Sequence, residues 1–406
     1  MPEDFSEIAG ATGGIAGAKG ENAGATGRAA CVQVAVGRDG LAAGAVRDAL
    51  AQIDAGSARF VLCFTPAGLN SDAVARALDA ALPGVPVFGC SSAGQITDRG
   101  YEDDALLLMA FPKSHFRCAS ELITLEGPLD ATSIVRAVQR TAQSFRHTAG
   151  QGRLGLVFTD GLSMQEDILI SALEAALPDV PLFGGSAADG LQFEETFVLH
   201  GGVAQRGAAV VLLIETDLPF RAVCFDHFLP AQARAIVTRA APDVRKVYEI
   251  NGAPAAQEYA RLVGCAVDDL SPLIFAENPM LIEYRGAHYV RAISDAGADG
   301  SLSFLGAIDD GLIMTLGRGQ EIIETLRGTL DISDGQGRQP DFILGFDCVL
   351  RRLEFEQKQL GGDVSRVLSD ARVYGFNTFG EQHQGVHMNQ TLVGIAFFGP
   401  EERTLF

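Results

Sequence analysis

Hydrophobic residues in the first half of the chain follow two patterns. The runs FVLCFT (60–65) and LGLVFT (154–159) are short and continuously apolar, which is typical of strands buried on both faces. The segments that follow, SDAVARALDAAL and QEDILISALEAAL, carry apolar residues at helical spacing, with Ser71 and Ser163 as the expected N-caps. Strand and helix alternate, which predicts an α/β fold with a largely parallel sheet and right-handed crossovers.

This strand-helix unit is present twice. The segment ALDAALPGVPVFGCSSAG (77–94) aligns without a gap with ALEAALPDVPLFGGSAAD (172–189), and twelve of the eighteen positions are identical. The similarity continues into the apolar runs on either side. We therefore predict an internally duplicated α/β domain over residues 31–240. Its loops GCSSAG and GGSAADG follow strands, at the edge where open α/β sheets bind ligands.

The second half of the chain has a different pattern. An Asn-Gly turn before Pro254 separates a strand from a helix, and an Arg-Gly pair at 285–286 predicts a hairpin. A buried strand, a helix beginning near Asp347 and a last apolar strand follow. These elements predict a second α/β or α+β domain over residues 241–406.

Composition and charge limit the classes of function. The chain is 47% hydrophobic and has a formal charge of −20, so it is expected to fold and to repel nucleic acids and anionic membrane surfaces. No apolar run is long enough for a membrane helix. Residues 1–30 are rich in Gly and Ala and have no secretory pattern, which predicts a flexible leader and a cytoplasmic protein. Seven scattered cysteines without a C-x-x-C pair disfavour disulfides and structural zinc.

Several motifs resemble those of FIST-domain proteins, a family of two-part sensory modules. They are VFGCSSAGQI and FGGSAADG in the first half, then GAPAAQEYA, LGFDCVLRRL and the terminal GFNTFGEQHQGVHMNQTLVGIAFF. The resemblance extends over residues 35–400 and implies a FIST N-terminal domain followed by a FIST C-terminal domain. These motifs identify an architecture and do not name a reaction.

The terminal segment is most similar to NosP-type FIST proteins, which are haem-based nitric oxide sensors. The resemblance implies a haem cofactor, with nitric oxide or another small ligand as the signal. It also implies output through a separate histidine kinase or a cyclic-di-GMP synthase or phosphodiesterase, because no kinase, cyclase or DNA-binding segment is recognisable in the chain. The oligomeric state is left open, with a homo-oligomer as one alternative.

His387 is the leading candidate for the haem iron ligand, because a haem sensor needs an axial imidazole in an apolar pocket. His383 is the second candidate, although its glutamine neighbours suggest more solvent. Gly380 and Gly385 make a helix doubtful and the H-E-x-x-H pattern is absent, so we predict a structured loop rather than a zinc protease site. The other residues expected at the cofactor site are Tyr374, Glu381, Arg351, Cys90 and Ser91.

Two other functions remain open from the residues. A FIST sensor without haem would bind a small organic ligand such as an amino acid, with its carboxylate at Arg351 or at the GCSSAG loop. An enzyme would need Cys90 as a nucleophile, or Asp309 and Asp310 as an acid/base or metal site, and neither has a supporting motif. We therefore expect a sensor and not an enzyme.

Overall fold

The computed structural model describes residues 31–284 and 286–400, and the predicted leader lies outside these residues. The first half of the described residues forms two copies of one unit, in which an edge strand, two helix-strand pairs, a hairpin and a returning strand follow one another. The first copy comprises β1 (Gln33–Gly37), α1 (Ala42–Leu50), β2 (Ala58–Pro66), α2 (Ser71–Ala81), β3 (Val87–Ser92), β4 (Gln95–Thr97), β5 (Gly100–Glu102) and β6 (Leu106–Pro112). The second comprises β7 (Phe116–Thr124), α3 (Ala131–Ser144), β8 (Gly152–Thr159), α4 (Glu166–Ala176), β9 (Leu182–Ser186), β10 (Val198–His200), β11 (Val203–Gln205) and β12 (Ala208–Thr216).

A third copy of the unit follows, and a separate sheet is inserted into it. The copy begins with β13 (Phe220–Phe225), after which the chain leaves it. The inserted part comprises β14 (Phe228–Ala241), β15 (Lys246–Ile250), β16 (Ala253–Pro254), α5 (Ala255–Val263), α6 (Pro272–Glu277), β17 (Met280–Tyr284), β18 (Ala287–Arg291), β19 (Ile293–Ala296), β20 (Leu302–Phe304) and β21 (Ile313–Gly319). The third copy then resumes with α7 (Ile322–Leu330), β22 (Phe342–Cys348), α8 (Val349–Gln357), α9 (Gly361–Asp370), β23 (Val373–Thr378), β24 (Glu381–His383), β25 (Val386–Met388) and β26 (Leu392–Phe397).

The α/β fold and the duplication are therefore confirmed, and the duplication is extended to a triplication. The prediction of a largely parallel sheet is wrong, because each six-stranded sheet has one parallel strand pair and its other pairs are antiparallel. The parallel pairs β2–β3, β8–β9 and β22–β23 have matching registers, which align Gly89, Gly184 and Gly375. A Cβ on any of them would lie 1.7 to 2.0 Å from a carbonyl oxygen of the neighbouring strand. Only glycine fits at this place in each copy.

Each copy gives its hairpin to another copy. The strand orders are β1-β6-β2-β3-β10-β11, β7-β12-β8-β9-β24-β25 and β13-β26-β22-β23-β4-β5. Every six-stranded sheet thus ends in a hairpin from a different repeat. The inserted sheet is ordered β18-β17-β21-β14-β15-β20-β19, with β16 beside β15. The predicted division at residue 240 lies at the end of β14, within this inserted sheet.

The central core lies where the three sheets face one another. Phe64, Phe158 and Phe346 occupy equivalent positions in the three repeats and are fully buried. The ring centroid of Phe158 lies 5.8 Å from that of Phe64 and 6.3 Å from that of Phe346, and Phe376 stacks on Phe64 at 4.6 Å. Each such ring contributes roughly 1.5–3 kcal/mol through burial.

Some local predictions are corrected by the structure. Asn70, not Ser71, caps α2 by accepting a hydrogen bond from the N–H of Ala73 at 2.9 Å. Helix α4 begins after Gln165 without a side-chain cap, so Ser163 is not an N-cap. The segment predicted as a structured loop forms the β24–β25 hairpin, whose turn at Gln384 and Gly385 has positive φ at both residues.

Within residues 31–284 and 286–400, every helix is too short or too polar to cross a membrane.

The glycine contacts predict a paired effect on stability. Gly184→Ala should lower the free energy of unfolding by about 1–3 kcal/mol or more, because its Cβ would meet the Val157 carbonyl oxygen at 2.0 Å. Gly328→Ala is the control, since it lies inside α7 with open space around it and should gain about 0.5–1 kcal/mol. Urea denaturation of both variants measures the difference. Equal midpoints would contradict the assigned close approach.

Candidate functional site

The loops that follow β3 and β9 lie where the repeats meet. The N–H of Ser91 donates to the carbonyl of Phe197 at 3.0 Å, and the Ser91 carbonyl accepts from the N–H of Ala188 at 3.1 Å. Cys90, in the strand before it, is fully buried, and burial raises the pKa of its thiol well above the usual range. The backbone of Ser91 therefore joins the first repeat to the second through hydrogen bonds. Cys90 is a core residue whose thiol stays protonated at neutral pH.

Arg351 is enclosed by its own partners. Its Nε donates to Asp347 at 2.6 Å, and the guanidinium lies over the rings of Phe225 at 4.8 Å and Phe355 at 4.7 Å. Burial opposes the charge of Arg351, but Asp347 and Tyr101 outweigh it and raise the pKa of the guanidinium. Arg351 forms a buried ion pair with Asp347. Its guanidinium is therefore not placed to contact a haem propionate or a ligand carboxylate, as the sequence analysis expected.

Glu381 is buried beside this ion pair. Its carboxyl accepts hydrogen bonds from the hydroxyl of Thr378, and from Oγ1 and N of Thr391 at 2.7 and 3.3 Å. Burial raises the pKa of Glu381 to about 8, and the negative charge of Asp347 adds to the effect. Glu381 is therefore mostly protonated at neutral pH.

His387 lies in β25 with both ring nitrogens against protein. A Cβ on Gly380 would lie 2.7 Å from its Nε2, and the amide nitrogen of Gln382 lies 3.4 Å from its Nδ1. Burial lowers the pKa of His387 to about 4, although Asp167 attracts a proton to it. The ring is neutral and enclosed, and it leaves no room for iron. The first choice of ligand from the sequence does not fit this structure.

His383 is oriented differently by the same hairpin. Its ring stacks on Phe183 with 4.7 Å between centroids, and its Nδ1 lies 3.0 Å from the carbonyl oxygen of Leu182. Because a carbonyl only accepts, Nδ1 carries the proton and Nε2 keeps its lone pair. Burial lowers the pKa of His383, and Nε2 has no hydrogen-bond partner among the described residues. The imidazole is neutral and held in one tautomer.

A cavity of about 190 Å³ lies between the inserted sheet and the third repeat, and we call it the hairpin cavity. It opens between β18 and the β24–β25 hairpin, with β13 and the residues after it on a third side. The phenol of Tyr289 donates to the Gln384 side chain at 3.3 Å across these two elements. The lining residues are Cys224, Asp226, Ala287, His288, Tyr289, His383, Gln384, Met388 and Thr391.

Among the residues expected at the cofactor site, only His383 lines this cavity. Glu381 does not line the cavity, but it accepts a hydrogen bond from Thr391, which does. Tyr374 is half-buried in β23 against the central core. Within the described residues, no group of three or more His, Cys, Asp or Glu side chains is arranged to hold a metal ion.

Asp226 and Tyr289 were missed by sequence reasoning, because they line the cavity from segments more than ninety residues away from His383. Thr391 was missed although it is only eight residues from His383. One repeated pattern does point to the hairpin. Tyr374-Gly375 repeats the Phe-Gly pairs of the first two copies, and this would have aligned the third repeat.

The fold is that of an α/β protein built from three repeats that exchange hairpins, with a cavity beside the third repeat. The FIST N domain model matches residues 59–253, and the FIST C domain model matches residues 255–384. Together the two models cover most of the chain, which therefore belongs to the FIST family. FIST domains indicate a sensory role for small ligands.

Individual relatives add little about the ligand. An uncharacterized protein of Methanocaldococcus jannaschii, MJ1623, is 26% identical over 212 residues, which make up 50% of this chain and 40% of that protein. The chain thus spans well under two thirds of this curated relative. The crystal structure of cyanuric acid hydrolase from A. caulinodans covers 91% of this chain and 99% of its own, at 9% identity and a TM-score of 0.33. That likeness is too distant to assign a function.

Glu381 predicts a specific pH dependence of stability. Its raised pKa means that the folded state holds a proton that the unfolded state releases, so wild-type stability should fall as pH rises from about 4.5 to about 8. Glu381→Gln keeps an acceptor for Thr391 and should remove this fall, which is on the order of 3–5 kcal/mol. Urea denaturation at pH 5, 6.5 and 8 measures the difference between the two proteins.

Glu126→Gln, at an exposed position, is the control for this experiment and should follow the wild type at every pH. A constant difference between wild type and Glu381→Gln across the three pH values would show that Glu381 is charged in the folded state.

Proposed function

We propose that this FIST protein senses a small ligand that binds in the hairpin cavity and contacts His383. The observation that supports this proposal is the state of the imidazole: Nδ1 donates to the Leu182 carbonyl, Nε2 keeps a lone pair, and the residue lines the cavity. A histidine held in this way can accept a hydrogen bond or coordinate a metal. No other histidine expected at the site has a free nitrogen at a cavity.

Haem with nitric oxide as the signal is one ligand class that we propose for this site. His383 has the donor chemistry of an axial ligand, since metal-bound imidazoles commonly donate their second N–H to a backbone carbonyl. A bound haem would supply iron that takes up nitric oxide. The chain's own residues would orient the imidazole through Leu182 and Phe183, and Met388 would provide apolar surface in the same lining.

A small metabolite without haem is the second class, and the size of the cavity favours it. Pockets that enclose drug-sized ligands measure about 300–1,000 Å³. The hairpin cavity of about 190 Å³ is smaller, and a haem is at least drug-sized, so haem would have to displace β18 from the β24–β25 hairpin. A ligand of a few heavy atoms would fit without such a movement.

Signal output would arise from the spacing of two elements. The inserted sheet contacts the hairpin through Arg291, which donates to the His387 carbonyl at 2.5 Å, and through the hydrogen bond between Tyr289 and Gln384. A ligand between these elements would favour one spacing over another and so shift a conformational equilibrium. We propose that a separate histidine kinase or cyclic-di-GMP enzyme responds to the changed surface.

Catalysis is not part of this proposal. Cys90 is a core thiol without a base beside it, and burial keeps its pKa high. Asp310 accepts a hydrogen bond from the N–H of Ala240 at 2.5 Å, which is a turn contact rather than an acid/base pair.

The haem proposal predicts a spectral difference between two variants. Protein produced with added haem precursor should show a Soret band that moves with nitric oxide, and His383→Ala should lose or shift that band because its Nε2 is the free ligand nitrogen. His387→Ala is the matched control four residues away and should leave the band position unchanged. Absorption spectra of ferric, ferrous and nitric oxide-treated samples measure both effects.

A band that survives His383→Ala and disappears in His387→Ala would contradict the choice of ligand made from the structure. The absence of any Soret band would end the haem proposal. A metabolite that raises the melting temperature of the wild type but not of His383→Ala would then support the second class.

A further inference from the structure

Two polar atoms of residues that line the hairpin cavity can act only as hydrogen-bond acceptors toward a ligand. Nε2 of His383 has only a lone pair, because the ring proton is held at Nδ1 by the Leu182 carbonyl. Oγ1 of Thr391 donates its proton to Glu381 at 2.7 Å, so its remaining capacity toward the cavity is to accept. A ligand that contacts these two atoms must therefore supply donors.

Asp226 is the one carboxyl group in the lining. One of its oxygens accepts from the N–H of Phe228 at 3.2 Å, and no described residue provides a hydrogen bond or an ion pair to the other. Burial raises the pKa of Asp226, although the neighbouring His227 and His288 act against this. A partly buried carboxylate without a cationic partner is costly, and a cation beside it would remove much of that cost.

The described lining residues include no lysine and no arginine. Arg351, the candidate for an anionic group, is enclosed with Asp347, and Arg291 is committed to the His387 carbonyl. An anionic ligand would therefore meet Asp226 and these two acceptors, with His288 as the one lining side chain near Asp226 that could carry a positive charge. The charge of the cavity selects against carboxylates and phosphates.

We propose that the hairpin cavity binds a small organic cation whose ammonium or guanidinium N–H groups donate to Asp226, His383 and Thr391. This inference rests on the proposed function, which places the sensed ligand in the same cavity. The volume limits the ligand to a few heavy atoms, since about 190 Å³ corresponds to roughly six water volumes. Met388 and the ring of Tyr289 provide apolar surface for a short alkyl chain.

The test uses three probes of the same shape and different charge: n-butylammonium, 1-butanol and butyrate. We expect n-butylammonium to bind the full chain and raise its melting temperature, while 1-butanol and butyrate do neither. Asp226→Asn should weaken binding by about tenfold or more, because it removes the charge and keeps an acceptor for the Phe228 N–H. Calorimetry and thermal shift at two salt concentrations measure these effects.

The control variant is Asp104→Asn, which removes a charge from an exposed position in the β5–β6 loop. It should bind n-butylammonium as the wild type does. Equal weakening in both variants, or binding that 0.5 M salt abolishes in both, would show that only the overall charge of −20 attracts the amine, and would overturn the inference.

Two further results separate this inference from the function on which it depends. Binding of butyrate, 1-butanol or haem that His383→Ala abolishes would overturn the cationic ligand and keep the cavity as the sensory site. No effect of Asp226→Asn or His383→Ala on any ligand found to bind would overturn both. The melting temperature of each variant without ligand verifies that it is folded.

Discussion

The exchange of hairpins between repeats is the constraint on which the rest of this structure depends. Each six-stranded sheet is completed by two short strands that belong to another repeat, so β3 pairs with β10, β9 with β24, and β23 with β4. No repeat completes its own sheet without a hairpin from another repeat, which satisfies backbone hydrogen bonds that would otherwise stay unpaired. Glycines at 89, 184 and 375 let the paired strands approach closely, and the phenylalanine rings of the three sheets fill the centre.

The same constraint explains why the hairpin cavity lies beside the third repeat. His200 and His383 occupy equivalent positions in their hairpins, opposite Phe88 and Phe183. His200 lies 3.0 Å from the Ser120 hydroxyl. His383 instead lines the hairpin cavity together with residues of the inserted sheet, which lies within the third repeat. The insertion thus gives one repeated position a different environment.

Buried charge links the inserted sheet to the repeats. Arg245 pairs with Glu166 at the start of α4, and Arg291 lies 3.9 Å from Asp167 and donates to the His387 carbonyl. Such ion pairs add little net stability, because desolvation of the two charges offsets their attraction. Breaking one pair would leave a buried charge uncompensated. The pairs therefore fix the position of the inserted sheet more than they raise the free energy of unfolding. This gives the hairpin cavity a defined shape while its open side stays accessible.

The sequence by itself determined the α/β layers, the first two repeats and the family, because apolar runs, helical spacing and a gapless internal match are local properties of the chain. It also drew attention to the segment that contains His383. It did not determine the third repeat, since an insertion of more than ninety residues separates β13 from β22 and hides the periodicity. Only the tertiary structure decided which histidine is free. His383 and His387 are four residues apart with similar chemistry, and their difference comes from Leu182, Gly380 and the inserted sheet, which reach them from distant parts of the chain.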